Sequence, residues 1–401
     1  MNKKLIALAI AAAIAPAAAM ADSGNVTVYG QIDMSVDSVS ATGAGSALPS
    51  KNVPTHGRIS SNNSRIGFKG NEDLGNGLSA IWQIESAIGM GADPTATNTF
   101  ASRNTYLGVA SKTMGTALMG VYDTPYKLST AKLDIFADTL GDYNSIMGSA
   151  GGNAGNQFDR RTSNTVAYMT PAMNGLSGSI AYVFGENPTL DPKPAGAADQ
   201  QGKAWSLAAT YDNGPIFATL AWEKHTNLND FRLRLPAGPT LSGAVAFDTD
   251  SSKGTKLGGG YNFGQGTKVG VVWEKLQADA SGVGIVAVNR VERSAYTLNL
   301  AHTMGANTFK VAYAKAKEGT CSLANGAACS TAGNGAKQWT LGVDHALSKR
   351  TNVYALYTKI DNNFDSATAS GSTYNFGVSA VAGTTAGADP KAISVGMRHS
   401  F

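Results

Sequence analysis

The chain has 401 residues, 47 of them glycine, only 15% charged, and a formal net charge of +4. Glycine stands well above the roughly 7% of ordinary proteins, and a near-neutral chain without a concentrated basic face argues against a nucleic-acid partner. Beyond the first twenty residues there is no apolar run of about 18, so no transmembrane helix is expected.

The chain opens with Lys3 and Lys4, an apolar run from Leu5 to Ala15, Pro16, and small residues up to Ala19-Met20-Ala21. That order is the grammar of a secretory signal peptide with an A-x-A cleavage site. Residues 1–21 are assigned to it and 22–401 to the mature chain. Loss of this leader removes two lysines and no acids, so the net charge falls from +4 to +2. An exported chain with no membrane helix is periplasmic, secreted or a β-barrel.

Alternation of apolar and polar residues then begins. NVTVYGQIDMSVD (Asn25–Asp37) is followed by a polar stretch to about His56. In SRIGFKG (Ser64–Gly70), Ile66 and Phe68 share one face and Arg65, Gly67 and Lys69 the other. A turn at Glu72–Gly77 leads to a run in which Trp82 and Ile84 oppose Gln83 and Glu85. This is hairpin grammar. Similar runs continue to the last one, Lys391–Phe401, about sixteen in all.

The connections sort into two kinds. Short ones carry tight-turn residues, as at Asn174-Gly175, Asp212-Asn213-Gly214 and Gly264-Gln265-Gly266. Long ones alternate with them, among them Asp123–Arg160, Thr226–Ser252 and Asp361–Pro390. Short turns at one end and long loops at the other mark an outer-membrane barrel. In lipid every backbone polar group must be paired, so only helices or closed barrels span. The predicted fold is therefore all-β, a 16-stranded antiparallel transmembrane barrel with short periplasmic turns and long extracellular loops. A lysine or arginine on the lipid face at mid-depth costs about 2–4 kcal/mol. That cost turns Arg65, Lys69 and Arg293 toward the lumen. A barrel of this strand number encloses water. Tyr29, Trp82, Tyr122, Trp222, Tyr354 and Tyr357 are expected in interfacial girdles.

The stretch 123–160 breaks the alternation. Loops this long are usually functional, and it is expected to fold into the barrel and narrow it; a solvated outer loop is the alternative. Asp134, Asp138 and Asp142 recur every fourth residue, which would place three carboxylates on one face of a short helix. Arg160 and Arg161 open the strand that follows. Cys321 and Cys329 lie close together in a polar loop, where an oxidising compartment favours a disulfide; two free thiols are the alternative.

Several of these runs carry a family resemblance. VTVYGQID after the leader, SRIGFKGNEDLGNGLSAIWQIE (Ser64–Glu85), RNTYLGV (Arg103–Val109), GVYDTPYK, RRTSNTVAYMTP (Arg160–Pro171) and the final VGMRHSF resemble the Gram-negative general porins, in particular the betaproteobacterial branch. The resemblance implies a homotrimer in the outer membrane, in contact with its lipid and lipopolysaccharide. It implies a water-filled channel for passive diffusion of ions and small hydrophilic solutes, with no cofactor. It places Arg65, Arg103 and Arg160 or Arg161 on a basic wall, and Asp134, Asp138 and Asp142 on the facing loop. FADTLGD stands where the family carries a PEFGG-like run. Phe401 matches the family's signal to the barrel assembly machinery.

The excess of lumen arginines and lysines over loop aspartates predicts a weak anion preference. Lys127 and Lys132 add to it; Glu85, Glu223, Glu274 and Asp344 detract. The five histidines are scattered without metal-ligand spacing, and no G-x-S-x-G is present, so an enzyme is not expected. A substrate-specific channel or an adhesin-like barrel is the alternative.

Overall fold

The computed structural model describes residues 26–43, 52–91, 99–149, 158–185, 202–226, 249–280, 288–323, 328–367 and 370–401. The leader assigned to 1–21, and the segment 150–157 of the long loop, lie outside these residues.

Alternating residues become strands that close into one barrel. The first half runs β1 (Val26–Thr42), β2 (Val53–Ser61, resuming at Arg65–Gly75), β3 (Leu78–Ala87), β4 (Thr105–Ser111), β5 (Gly115–Asp123), β6 (Arg161–Met169), β7 (Leu176–Phe184) and β8 (Lys203–Asn213). The second half runs β9 (Ile216–Thr226), β10 (Thr249–Gly264), β11 (Thr267–Ala280), β12 (Val288–Met304), β13 (Asn307–Ala316), β14 (Ala336–Ala346), β15 (Thr351–Asn362) and β16 (Asp389–Ser400). Every neighbour pairs antiparallel with the next, and β16 closes on β1 in unbroken register from Gln31↔Ser400 to Thr42↔Asp389. Closure leaves no unpaired sheet edge for lipid to cover.

The strands are longer than the alternation alone suggests. The first polar stretch becomes strand from Val53, because Arg58 and Ser60 are drawn to Asp37 on β1. The two halves of β2 meet at a kink where Asn63 takes φ of 54°.

Period-two alternation sorts the faces. Leu107, Met119, Leu220, Val271, Leu298, Leu341 and Val395 lie exposed on the outside, while Ser206, Glu274, Thr297, Gln338, Thr340 and Ser394 are buried within. The girdle expectation needs correction at three positions. Tyr29, Tyr122 and Tyr354 point inward. Tyr29 donates to Glu85 at 2.9 Å and Tyr354 to Asp33 at 2.8 Å, and Tyr122 packs edge-on against Tyr106. In a narrow wall the ring of Tyr29 covers Gly67 and that of Tyr354 covers Gly396, filling space a side chain there would need.

Candidate functional site: the constriction

The segment after β5 enters the barrel. Thr124 caps a short helix, Pro125–Ser129, whose proline sits at the start where no N–H is needed. A single tight turn, Ala131–Leu133, follows. The helix ends there. The expected helical face through Asp134, Asp138 and Asp142 does not form; the chain folds into turns, and Asp138 takes a left-handed φ of 59°. The physical reason lies in the aspartates themselves. Asp134 accepts from the backbone of Phe136 (2.9 Å) and Tyr143 (3.2 Å), and Asp142 from Asn144 (2.8 Å) and Asp138 (3.2 Å). Such short-range bonds compete with a helix.

The three carboxylates thereby separate. Asp134 and Asp142 fold back onto the loop's own backbone. Burial, then the neighbouring Asp142 charge, pushes the Asp134 carboxyl well above the ordinary range, and burial raises Asp142 too. Asp138 alone reaches the wall. It accepts from Arg65 at 2.9 Å and from Asn63 at 2.8 Å. Burial works against its charge, yet Arg65 and these bonds hold its carboxyl below the usual range.

The loop's other side is apolar. Tyr126, Leu133, Phe136, Leu140, Tyr143, Ile146 and Met147 are buried, most of them against the inner wall of β11 to β16. The bed is made of small residues. A Cβ on Gly258 or Gly260 would come within 2.8 Å of Leu133, and one on Gly342 within 2.6 Å of Phe136. Gly254, Gly258 and Gly260 of KGTKLGGG therefore leave the space the loop occupies. Beneath it Glu274 accepts from Tyr126 (3.0 Å), Arg293 (2.9 Å) and the Gly148 N–H (3.0 Å). Lys256 pairs with Asp159 on the returning limb and lies 3.9 Å from Glu274. Each large buried apolar side chain contributes roughly 1.5–3 kcal/mol, whereas a single bridge still in reach of lumen water, such as Arg65–Asp138, contributes about 1 kcal/mol. Packing, not the bridge, holds the loop in.

The gap lies between the loop's exposed side and β2 to β6. Arg65 stands there, with Lys69 four residues further toward the short turns, its ammonium over the Tyr29 ring at 5.0 Å. Arg103 pairs with Glu85 at 2.6 Å. Arg161 pairs with Asp123 at 3.2 Å and donates to Asn104 at 2.7 Å. The carbonyl of Arg160 accepts from Thr124 at 3.2 Å, placing that arginine at the foot of the loop. Lys127 projects from the loop onto Asp123 at 2.8 Å. Among these side chains cations thus outnumber carboxylates: Arg65, Lys69, Arg103, Arg161 and Lys127 against Glu85, Asp123 and Asp138.

A second inward loop was not foreseen. The segment between β15 and β16 buries Tyr374, Phe376, Val378 and Val381. Gly377 donates to Ser145 of the constriction loop at 3.1 Å, and Arg58 grips the carbonyls of Ala380 (2.7 Å) and Ser379. Four large apolar residues within that long connection were the available signal. Cys321 and Cys329 form a disulfide across a short hairpin, Cα atoms 5.3 Å apart. Phe401 packs over Gly30, and the two exchange backbone hydrogen bonds of 3.1 Å.

A closed sixteen-stranded barrel with a loop folded across a charged lumen defines a transmembrane diffusion channel. Residues 7–366 match the family described as Gram-negative porin, and the chain belongs to that family. It is 30% identical over 408 residues to outer membrane porin protein 32 of Delftia acidovorans, spanning all of both chains. It is 29% identical to a major outer membrane protein P.IB of Neisseria gonorrhoeae, over 88% of this chain and 92% of that one. Among solved structures, the anion-selective porin from Comamonas acidovorans shares the fold with a TM-score of 0.70 and 24% identity, over 94% of this chain and 99% of that one. The protein is an outer-membrane porin that passes ions and small hydrophilic solutes.

Proposed function

We propose that this porin favours anions, and that Arg65, Lys69, Arg103, Arg160 and Arg161 form the basic side of its constriction. The observation that carries this reading is the uneven charge of the gap, where five cations meet three carboxylates and only Asp138 of the three loop aspartates faces the wall. A ring of fixed positive charge lowers the barrier to an anion and raises it to a cation. Lys127 adds to the excess from the loop side. The anion-selective porin from Comamonas acidovorans, whose fold this chain shares, is consistent with it.

A sugar-selective channel would offer open aromatic faces along the path. The lumen tyrosines are otherwise engaged, Tyr29 with Glu85 and Tyr354 with Asp33, which favours the general channel. The family resemblance supports a trimer of such barrels, each with its own pore. The reversal potential of the purified protein in a planar bilayer under a potassium chloride gradient tests the charge reading. Chloride preference supports it; potassium preference ends it. Cross-linking in mild detergent tests the trimer, and a monomer alone would end that part.

A further inference from the structure

Two arginines of the wall hold the two inward loops in the same way. Arg398 of β16 donates from Nε to the Asp33 carboxylate of β1 at 2.6 Å, and from Nη2 to the carbonyls of Ala137 (3.0 Å) and Asp138 (3.3 Å) in the constriction loop. Arg58 of β2 donates from Nε to Asp37 of β1 at 3.4 Å, and from Nη1 and Nη2 to the carbonyls of Ala380 (2.7 Å) and Ser379 in the second loop. Each guanidinium is thus anchored on a buried aspartate of the first strand and reaches two successive backbone carbonyls. The anchors are themselves fixed. Asp33 also accepts from Tyr354 at 2.8 Å, and Asp37 from Ser394 at 2.6 Å.

The two gripped turns share a further feature. Asp138 takes φ of 59° and Ser379 φ of 51°. That region disfavours residues with a Cβ, and such a conformation persists only where its surroundings over-determine it. Apolar packing stops short of both turns. Ala137 is exposed and Asp138 half-buried, between the buried Phe136 and Leu140. In the second loop Ala380 is exposed and Ser379 half-buried, between the buried Val378 and Val381. Packing therefore holds the body of each loop, and the arginines hold the turns that packing leaves clear. A guanidinium suits this task because its donors lie spread over a rigid plane.

We propose that Arg398 and Arg58 are positioning residues of the pore: anchored on Asp33 and Asp37, they clamp the left-handed turns of the two inward loops and so fix the cross-section of the lumen. Through the first clamp the Asp138 carboxylate is presented to Arg65. The proposal rests on the loops lying in the lumen and not on which ion the pore prefers.

The test compares the purified full mature protein with Arg398→Lys and Arg58→Lys in planar bilayers, reading open-channel current noise and reversal potential. Lysine keeps a charge beside each aspartate but gathers its donors on one nitrogen. Each variant is expected to melt close to the parent. The released state of its turn is expected to become about ten-fold more populated, as for loss of one hydrogen bond to a charged group, and to appear as excess open-channel noise. A double-mutant cycle adds a second readout. In the Arg398→Lys background the shift in reversal potential caused by Asp138→Asn is expected to fall by about half or more, because the carboxylate no longer keeps its place. In the Arg58→Lys background that shift stays intact. If a lysine variant fails to fold, Arg398→Gln with Asp33→Asn, and Arg58→Gln with Asp37→Asn, remove each pair as a unit and carry the same readouts. Parent-level noise in both variants, or an Asp138→Asn shift undiminished by Arg398→Lys, overturns the proposal. So does a lower melting temperature with parent-level noise, which would make the arginines supports of the wall alone. Potassium preference in the parent would end the charge reading without touching this one, since noise and coupling are read whichever ion dominates.

Discussion

The two sides of the constriction loop are built on opposite principles. The side against β11 to β16 is dry, with Leu133, Phe136, Tyr143 and Ile146 packed on glycine and alanine and four buried charges locked around Glu274. The side toward β2 to β6 carries partly buried arginines with single carboxylate partners. The dry side sets where the loop lies and therefore how wide the gap is. On the proposed reading, the wet side sets which ions find the gap favourable. Width and preference should therefore respond to different substitutions.

The largest effect is expected on the dry side. Glu274→Ala removes the acceptor shared by Tyr126, Gly148 and Arg293 and leaves Arg293 buried without its carboxylate. Stranding a buried charge costs roughly 3–5 kcal/mol. The loop is expected to leave its bed, seen as a higher single-channel conductance and passage of larger solutes; unchanged conductance would show that the apolar contacts hold the loop unaided. Gly258→Val presses on the same bed from the wall, because its side chain would occupy the place of Leu133. Overpacking typically costs about 1–3 kcal/mol, and the size-exclusion limit should rise by a smaller amount.

On the wet side, the joint replacement of Arg65, Arg103 and Arg161 by Gln should leave the exclusion limit little changed and turn the reversal potential toward cation preference. A large change in conductance with no change in preference would break the division of labour between the two sides. Asp138→Asn is the milder converse. It frees Arg65 from its partner and should deepen anion preference in the same bilayer measurement.

The smallest effect concerns pH. The Asp138 carboxyl lies below the ordinary range, so its contribution to docking is present above the unfolded value and is lost as pH falls through the depressed folded one. Anion preference should thus stay flat from pH 7 to 5 as far as Asp138 is concerned, and rise only in stronger acid. Asp134 and Asp142 behave oppositely, since a raised value means stability that fades as pH rises. Asp134→Asn should therefore raise the melting temperature more at pH 8 than at pH 5. A uniform gain would mean that the pair's proton is not what matters.

Much of this molecule was legible beforehand because lipid enforces a strict rule. Val269, Val271 and Trp273 could only face out once Glu274 faced in, and the alternating lengths of the connections told the two ends apart. Arg65 and Lys69 were assigned to the lumen by the cost of the alternative. The departures lie where that rule does not reach. Inside the lumen both faces of a segment meet protein or water, so neither period nor cost selects a conformation. The spacing of Asp134, Asp138 and Asp142 suggested a helix because spacing carries no information about side chains bonding to their own backbone. Tyr29 and Tyr354 looked like girdle residues because the neighbouring strand's Gly67 and Gly396, which make room for them, are distant in sequence.

By itself, the sequence determined the barrel, its strand number, its membrane and the basic character of its pore, since each follows from local alternation and the cost of burying charge in lipid. The tertiary structure alone decided which aspartate meets Arg65, that the loop before β16 also folds inward, and that Lys256, Glu274 and Arg293 secure the loop rather than line the channel. Those outcomes depend on groups brought together across the lumen from segments 73 to 232 residues apart, where only closure of the barrel fixes who meets whom.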